Sequence, residues 1–214
     1  AHAMASEYKG KPIGATGDIA CFSFQCVKIV TCGDGGLIAT SRDDYYEELK
    51  KRIWYGVDRD RKRGMSLDPL PDDIDVLGFK YNMNDITASL AIEGVKHLDI
   101  PLKRRKEIGA RYRQELSSLK TVHLLRYRDD RQPNYQIFPV HVEDRKKFVE
   151  FMWSKSIEVV INNRRNDKYK IFGGLQNLPN LKIVDEDTVL LPIHFDLTKE
   201  DVDRIIEAVK DYDS

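Results

Sequence analysis

Ser23-Phe24-Gln25-Cys26-Val27-Lys28, followed by Thr31-Cys32-Gly33-Asp34-Gly35-Gly36, is the stretch on which the reading of this chain turns. One apolar run, Ile19-Ala20-Cys21-Phe22-Ser23-Phe24, leads into it, and a second, Leu37-Ile38-Ala39-Thr40, leaves it. Short apolar runs bounded by turn residues predict two buried strands, 18–24 and 36–40, joined through a glycine-rich turn. A lone lysine then stands near a strand end. An amine held out of water loses proton affinity and becomes a nucleophile, which is the chemistry of a Schiff-base lysine. By local pattern alone a solvated lysine in a hairpin loop is the more ordinary reading of Lys28, because most lysines are solvated.

Outward from this stretch the pattern alternates. Gly10-Lys11-Pro12 and 14–17 read as turns. Residues 43–54 read as a helix with Tyr46, Leu49, Ile53 and Trp54 at helical spacing. The polar stretch 56–75 is too long for an ordinary connection and reads as a functional or disordered loop. Asn84-Asp85 starts a second helix, carrying Ile86, Leu90, Ile92, Val95 and Leu98, and Pro101 fits the first turn of a third that runs to about Leu119. Beyond it come a strand at 134–142, an amphipathic helix at 144–154, strands at 157–161 and 189–193, and a last helix. Thr198 caps that helix, and Val202, Ile205, Ile206 and Val209 form its apolar face. The expected fold is α/β in two parts: residues 1–104, strands followed by helices, and residues 105–214, a smaller α+β layer. The helix 101–119 is the joint.

Composition narrows the function. The 214 residues carry 35 basic and 35 acidic side chains, and 41% are hydrophobic. Zero net charge argues against a general nucleic-acid binder. The clusters Lys103-Arg104-Arg105-Lys106 and 59–63 have acidic neighbours and read as solvated faces. Cys21, Cys26 and Cys32 match no common zinc spacing, and an odd count without a disulfide framework fits a reducing cytosol. No apolar run is long enough to span a bilayer, and no secretory signal is visible. The start, Ala1-His2-Ala3-Met4, reads as though the sequence begins inside a domain.

The constellation around Lys28 carries a resemblance. It comprises the Ser23 to Gly36 block, Ala1-His2-Ala3 and 8–14 upstream, 78–86 downstream (Gly78-Phe79-Lys80-Tyr81-Asn82-Met83-Asn84-Asp85-Ile86), and Leu191-Pro192-Ile193-His194. Together these resemble the DegT/StrS family of sugar aminotransferases, pyridoxal-phosphate enzymes of the aspartate-aminotransferase fold (fold type I), over essentially the whole chain. The resemblance implies the C-terminal portion of such a fold, a partial large domain plus the small domain. The ring-pairing aspartate and the N-terminal half of the large domain are expected ahead of Ala1.

What the resemblance implies for residues is specific. Lys28 matches the lysine that bonds the cofactor pyridoxal 5′-phosphate and shuttles protons. Ser23 matches a hydroxyl on the cofactor phosphate, and His2 a residue against the phenolic oxygen. Asn82 matches one that reaches the phosphate of the neighbouring subunit, so a homodimer is implied. Arg164, in Asn163-Arg164-Arg165-Asn166-Asp167, and His194 are weaker candidates for substrate contact. Each also has an ordinary reading: a strand serine, a turn asparagine, a chain-start histidine, solvated loop residues. Gln25-Cys26-Val27 departs from the family's usual residues at those positions. The implied reaction transfers an amino group from glutamate to a nucleotide-linked keto-sugar, a 4-keto-6-deoxy sugar on GDP or dTDP, for cell-surface polysaccharide such as O-antigen, in the cytoplasm. Two alternatives remain beside it: a truncated non-catalytic homologue, and a pyridoxamine-phosphate-dependent sugar dehydratase, against which Lys28 counts.

Overall fold

The structure is a computed structural model that describes residues 1–59, 73–161 and 164–214. It divides into two compact units, Ala1–Leu98 and Asp99–Ser214, so the expected joint helix lies wholly in the second. Most of the polar stretch 56–75, and Asn163, fall outside the described residues. Among those residues no helix is long and apolar enough to cross a membrane.

The first unit opens with a short antiparallel pair, β1 (Glu7–Tyr8) and β2 (Lys11–Pro12). Next, β3 (Ala20–Ser23) pairs antiparallel with β4 (Gly36–Ala39), in a register that sets Ser23 opposite Gly36. Helices α1 (Asp43–Arg52) and α2 (Asp85–Lys96) follow. Asn84 starts α2 as the sequence suggests: its side chain accepts from the Thr87 N–H at 3.0 Å. A small core joins Phe24, Val30, Cys32 and Ala91.

One expectation fails in this unit. The run 36–40 was read as a buried strand, yet Leu37 and Ile38 are each 44% exposed, and α1 buries no residue. A two-stranded hairpin has too few neighbours to cover both of its faces.

The second unit is a four-stranded antiparallel sheet in the order β5 (Val122–Leu124), β7 (Phe138–Val142), β9 (Thr188–Leu191), β8 (Val160–Ile161). A two-residue strand, β6 (Arg131–Gln132), lies outside it. The helices are α3 (Asp99–Leu116), α4 (Arg145–Ser154), α5 (Pro179–Asp187) and α6 (Lys199–Asp213). Phe138, Val140 and Val142 alternate inward from the central strand, as strand periodicity requires. They meet Ile108, Tyr112, Phe148, Val202 and Val209 in one core. Thr198 and Asp201 cap α6 reciprocally, and all four of its expected apolar residues are buried.

Two strands are shorter than the sequence suggests. The run expected from Asn134 becomes a ladder only at Phe138. The Asn134 side chain accepts from the Gln136 N–H at 2.9 Å, and Tyr135 is left-handed at φ 53°, so the chain turns before it extends. That turn lays the Tyr135 ring on α3 at Gly109, where a Cβ would come within 2.6 Å of the ring. Of the run 157–161 only the last two residues pair, although Ile157 and Val159 are buried. β5 and α5 were not foreseen.

The basic run Lys103-Arg104-Arg105-Lys106 is not simply a solvated face. Four consecutive helical residues sweep around the whole helix, so one of them must face inward. It is Arg105, 6% exposed, whose Nη1 donates to the carbonyls of Tyr135 (3.0 Å), Gln136 (3.1 Å) and Ile193 (2.8 Å). Burial lowers its proton affinity, and the carbonyls meet the charge in the place of water. Replacing Arg105 by Met strands three acceptors. Urea unfolding of that variant is expected to show a loss of about 3 kcal/mol, and Arg105→Lys, whose ammonium falls short of the Nη1 position, is expected to recover less than half of it.

Candidate functional site

The Lys28 loop is built from Phe24 outward. The Phe24 N–H donates to the Gly35 carbonyl at 2.9 Å, and its own carbonyl accepts from the Cys32 N–H at 3.0 Å and the Thr31 hydroxyl at 3.1 Å. Thr31 Oγ1 in turn accepts from the Gly33 N–H at 3.0 Å, and the buried Cys32 thiol donates to the Asp34 carbonyl at 3.2 Å. Residues 24–32 are therefore closed at their base, and the Lys28 N–H donates to the Gln25 carbonyl at 2.9 Å to form the turn at the tip. Gly35 has to be glycine. At φ 154° its Cβ would stand 2.7 Å from the Met83 methyl and 2.9 Å from the Cys32 sulfur.

That turn delivers Lys28 to His2: Nζ lies 2.9 Å from Nε2. Lys28 is half-buried, less enclosed than a strand-end lysine between two buried strands would be. The proton affinity of His2 is lowered, first by burial and then by the Lys28 charge. A neutral imidazole can therefore take the Lys28 N–H as acceptor. Ser23 ends β3 one residue before the anchor. Its hydroxyl oxygen accepts from the Gln25 N–H at 3.3 Å, which leaves its own hydrogen to donate.

Asn82 is held apart from this turn. Its Oδ1 accepts from Lys80 Nζ at 2.6 Å, and its backbone N–H donates to the Ile53 carbonyl at 3.1 Å. It lines a cavity of about 630 Å³ with Cys21, Phe22, Gly36, Tyr81 and Met83. Arg164 and His194 belong to the second unit. Arg164 is exposed, with its guanidinium 5.2 Å from the Tyr169 ring centroid. His194 Nδ1 lies 3.9 Å from Asp196 Oδ2 on the surface.

The sequence reading passed over the neighbours of Arg164. Arg165 and Asp167, both nearly fully buried, form a two-pronged pair, Nε to Oδ1 at 2.9 Å and Nη2 to Oδ2 at 2.5 Å. Arg165 Nη2 also donates to the Gln176 carbonyl at 3.0 Å, and the Gln176 N–H donates back to Asp167 Oδ2 at 2.9 Å. The only sequence sign is an Arg-x-Asp ahead of Gly173-Gly174, where opposite charges two apart can share one turn.

Two measurements follow. In Lys28→Met the His2 midpoint, read from its ring C–H resonances, is expected to rise toward 6.5 but stay below it, because burial, the larger cause, remains. Asp167 is held down to about 2, first by Arg165 and then by the Gln176 N–H. Its contribution to stability is complete above about pH 4 and is lost as pH falls toward 2. Urea midpoints between those values should fall in the wild type and change less in Asp167→Asn.

Comparison with known proteins gives the chain its relatives. The family model for the DegT/DnrJ/EryC1/StrS aminotransferase family matches residues 1–210. An uncharacterized protein of Methanocaldococcus jannaschii is 32% identical over 98% of this chain and 58% of its own length. AtS13 from Actinomadura melliaura superposes with a TM-score of 0.89 at 32% identity, covering 99% of this chain and 56% of that one. CalS13 from Micromonospora echinospora, a sugar aminotransferase, gives 0.88 at 28% identity, covering 97% and 55%. The PLP-form of Spr1654 from Streptococcus pneumoniae gives 0.85 at 28% identity, covering 99% and 55%. The chain spans a little over half the length of the proteins it matches.

Proposed function

The chain belongs to the DegT/DnrJ/EryC1/StrS aminotransferase family, and we propose that it supplies the lysine of a pyridoxal-phosphate-dependent sugar aminotransferase. The observation that carries this reading is the amine of Lys28, fixed on a closed loop 2.9 Å from an imidazole of lowered proton affinity.

The residues fit the cofactor by their chemistry. Lys28 offers an amine to an aldehyde, Ser23 a free hydroxyl hydrogen to a phosphate, and His2 a neutral imidazole to a phenolic oxygen. When bound, the cofactor accepts an amino group and draws electrons away from the carbon that carries it.

Everything else falls to the chain. Lys28 Nζ must lose a proton before it can bond to carbon, and His2 Nε2 lies within reach of it. The same amine, when free, would take the proton from the donor's Cα in the first half of the exchange and, in the second half, would deliver one to the acceptor carbon that receives the amino group. Ser23 stays outside the proton transfers and holds the phosphate end, so that the reacting carbon remains beside Nζ. Asn82 of a second copy supplies a further donor to that phosphate, which makes the working form a homodimer. Glutamate is the amino donor, and a nucleotide-linked keto-sugar, a 4-keto-6-deoxy sugar, is the acceptor. Arg164 and His194 contact that substrate, and the amino-sugar product enters surface polysaccharide made from the cytoplasmic side.

The chain incubated with pyridoxal phosphate should develop a visible absorption band. Lys28→Ala should abolish the band while its circular dichroism stays unchanged. A band of undiminished size in that variant would refute the assignment of Lys28.

A further inference from the structure

Thr31 is exposed, yet its hydroxyl turns back onto the chain. It donates to the Phe24 carbonyl at 3.1 Å and accepts from the Gly33 N–H at 3.0 Å. A hydroxyl can donate and accept through one atom. Here that atom joins the residue that enters the Lys28 turn to two residues that leave it. The residues beside Thr31 act differently. Val30 and Cys32 are 2% and 4% exposed, and with Phe24 they belong to the small core of this unit. Apolar burial is non-directional, so it holds the two sides of the loop together without fixing how one lies along the other. A hydrogen bond has a preferred length and angle, and it does fix that.

Both functional groups of the loop hang on this registration. Ser23 stands one residue before Phe24, and its hydroxyl oxygen accepts from the Gln25 N–H at 3.3 Å. Lys28 donates its N–H to the Gln25 carbonyl at 2.9 Å and sets Nζ 2.9 Å from His2. All of these residues lie in the first compact unit. Without the Thr31 hydroxyl the Phe24 carbonyl keeps the Cys32 N–H alone. The Gly33 N–H would turn to water, since Gly33 is exposed. The fold then survives while the turn is free to shift.

We propose that Thr31 is a positioning residue, whose hydroxyl sets the separation between the Ser23 hydroxyl and the Lys28 amine. In the aminotransferase reading, on which this rests for its ligand, those two groups hold opposite ends of pyridoxal phosphate, the phosphate and the aldehyde carbon. A molecule of fixed length engages both only where their spacing is fixed in advance. Thr31 acts on them through the backbone of Phe24 and Gly33.

The first measurement needs no cofactor. Thr31→Val keeps the shape of the side chain and removes the hydroxyl. As Lys28 leaves His2, the His2 midpoint loses the influence of that charge and rises toward 6.5. The rise should reach about half or more of that in Lys28→Met, and Thr31→Val should add nothing in the Lys28→Met background. Thr31→Ser keeps the hydroxyl and should match the wild type. Thr31→Ala should reproduce the shift, which covers the case in which Thr31→Val fails to fold. The second measurement is titration with pyridoxal phosphate, followed by the visible band. Thr31→Val should raise the half-saturating concentration about fivefold or more, and Thr31→Ser should restore it to within about twofold. A residue that only stabilised the loop would lower the urea midpoint and leave His2 unchanged. The proposal is overturned if the His2 midpoint stays at its wild-type value in Thr31→Val and Thr31→Ala, if the shift persists in the Lys28→Met background, if Thr31→Ser does not rescue, or if both variants titrate with the cofactor as the wild type does. A wild type that gives no band is a different failure. It strikes the aminotransferase reading, and the His2 measurement still decides whether Thr31 holds Lys28 in place.

Discussion

The backbone of Phe24 is the constraint from which the Lys28 site follows. Its N–H is committed to Gly35 and its carbonyl to Cys32 and Thr31, while its ring is buried with Val30, Cys32 and Ala91. Each of those hydrogen bonds is worth about 1 kcal/mol net, and the buried ring adds about 2 kcal/mol or more. Together they let a polar turn stand clear of the core without losing its shape. Gly35 is the consequence: the carbonyl that Phe24 needs can approach only where Cys32 and Met83 meet no Cβ. The turn residues Gln25 to Lys28 are thus free to be chosen for chemistry, because an apolar residue outside the chemistry fixes their path.

The second unit solves a similar problem with charge instead of an apolar anchor. Arg105 gathers three carbonyls from the two segments that flank its central strands, and Tyr112, about two turns further along the same face of that helix, donates to the Pro192 carbonyl at 2.9 Å. Those carbonyls lie where the ladder has ended and no strand can satisfy them. A buried hydrogen-bonded side chain is the available substitute. The turn at Asn134–Gln136 and the segment Pro192–Ile193 are thereby set on α3, and His194 leaves from a fixed point. Arg165 and Asp167 repeat the device on a smaller scale.

How much of this the sequence disclosed depended on whether the deciding neighbour was near in the chain. The Thr198 cap, the Asn84 cap and the alternation at Phe138, Val140 and Val142 are local, and periodicity and capping chemistry disclose them. The Ser23–Lys28–Gly36 spacing was legible for the same reason, since strand, turn and glycine follow one another. Arg105 was misread because its partners lie about thirty and ninety residues away, and a run of four basic residues looks alike whether or not one of them is buried. The strand expected from Asn134 was overextended because a side-chain hydrogen bond and a left-handed tyrosine override propensity. The Arg165–Asp167 ring depends on the backbone of Gln176, nine residues beyond Asp167, and no local pattern announces it.

The exposed strand at Gly36–Ala39 carries a further argument. Leu37 and Ile38 read as buried, and α2 adds Ile86 at 79% and Ile92 at 58% exposure. One such residue is ordinary on a protein surface; a hairpin and a helix that both turn apolar side chains outward are not. Leu37 and Ile38, adjacent in β4, point to opposite faces of the hairpin, and Ile86 and Ile92, six residues apart on α2, stand about 120° apart around that helix, so no single face collects the four side chains. The Lys28 loop is the informative contrast, because its supports all lie within residues 1–98 and its geometry is closed without help. The path of the lysine is therefore set by Phe24 and Gly35, independently of the exposed Leu37 and Ile38.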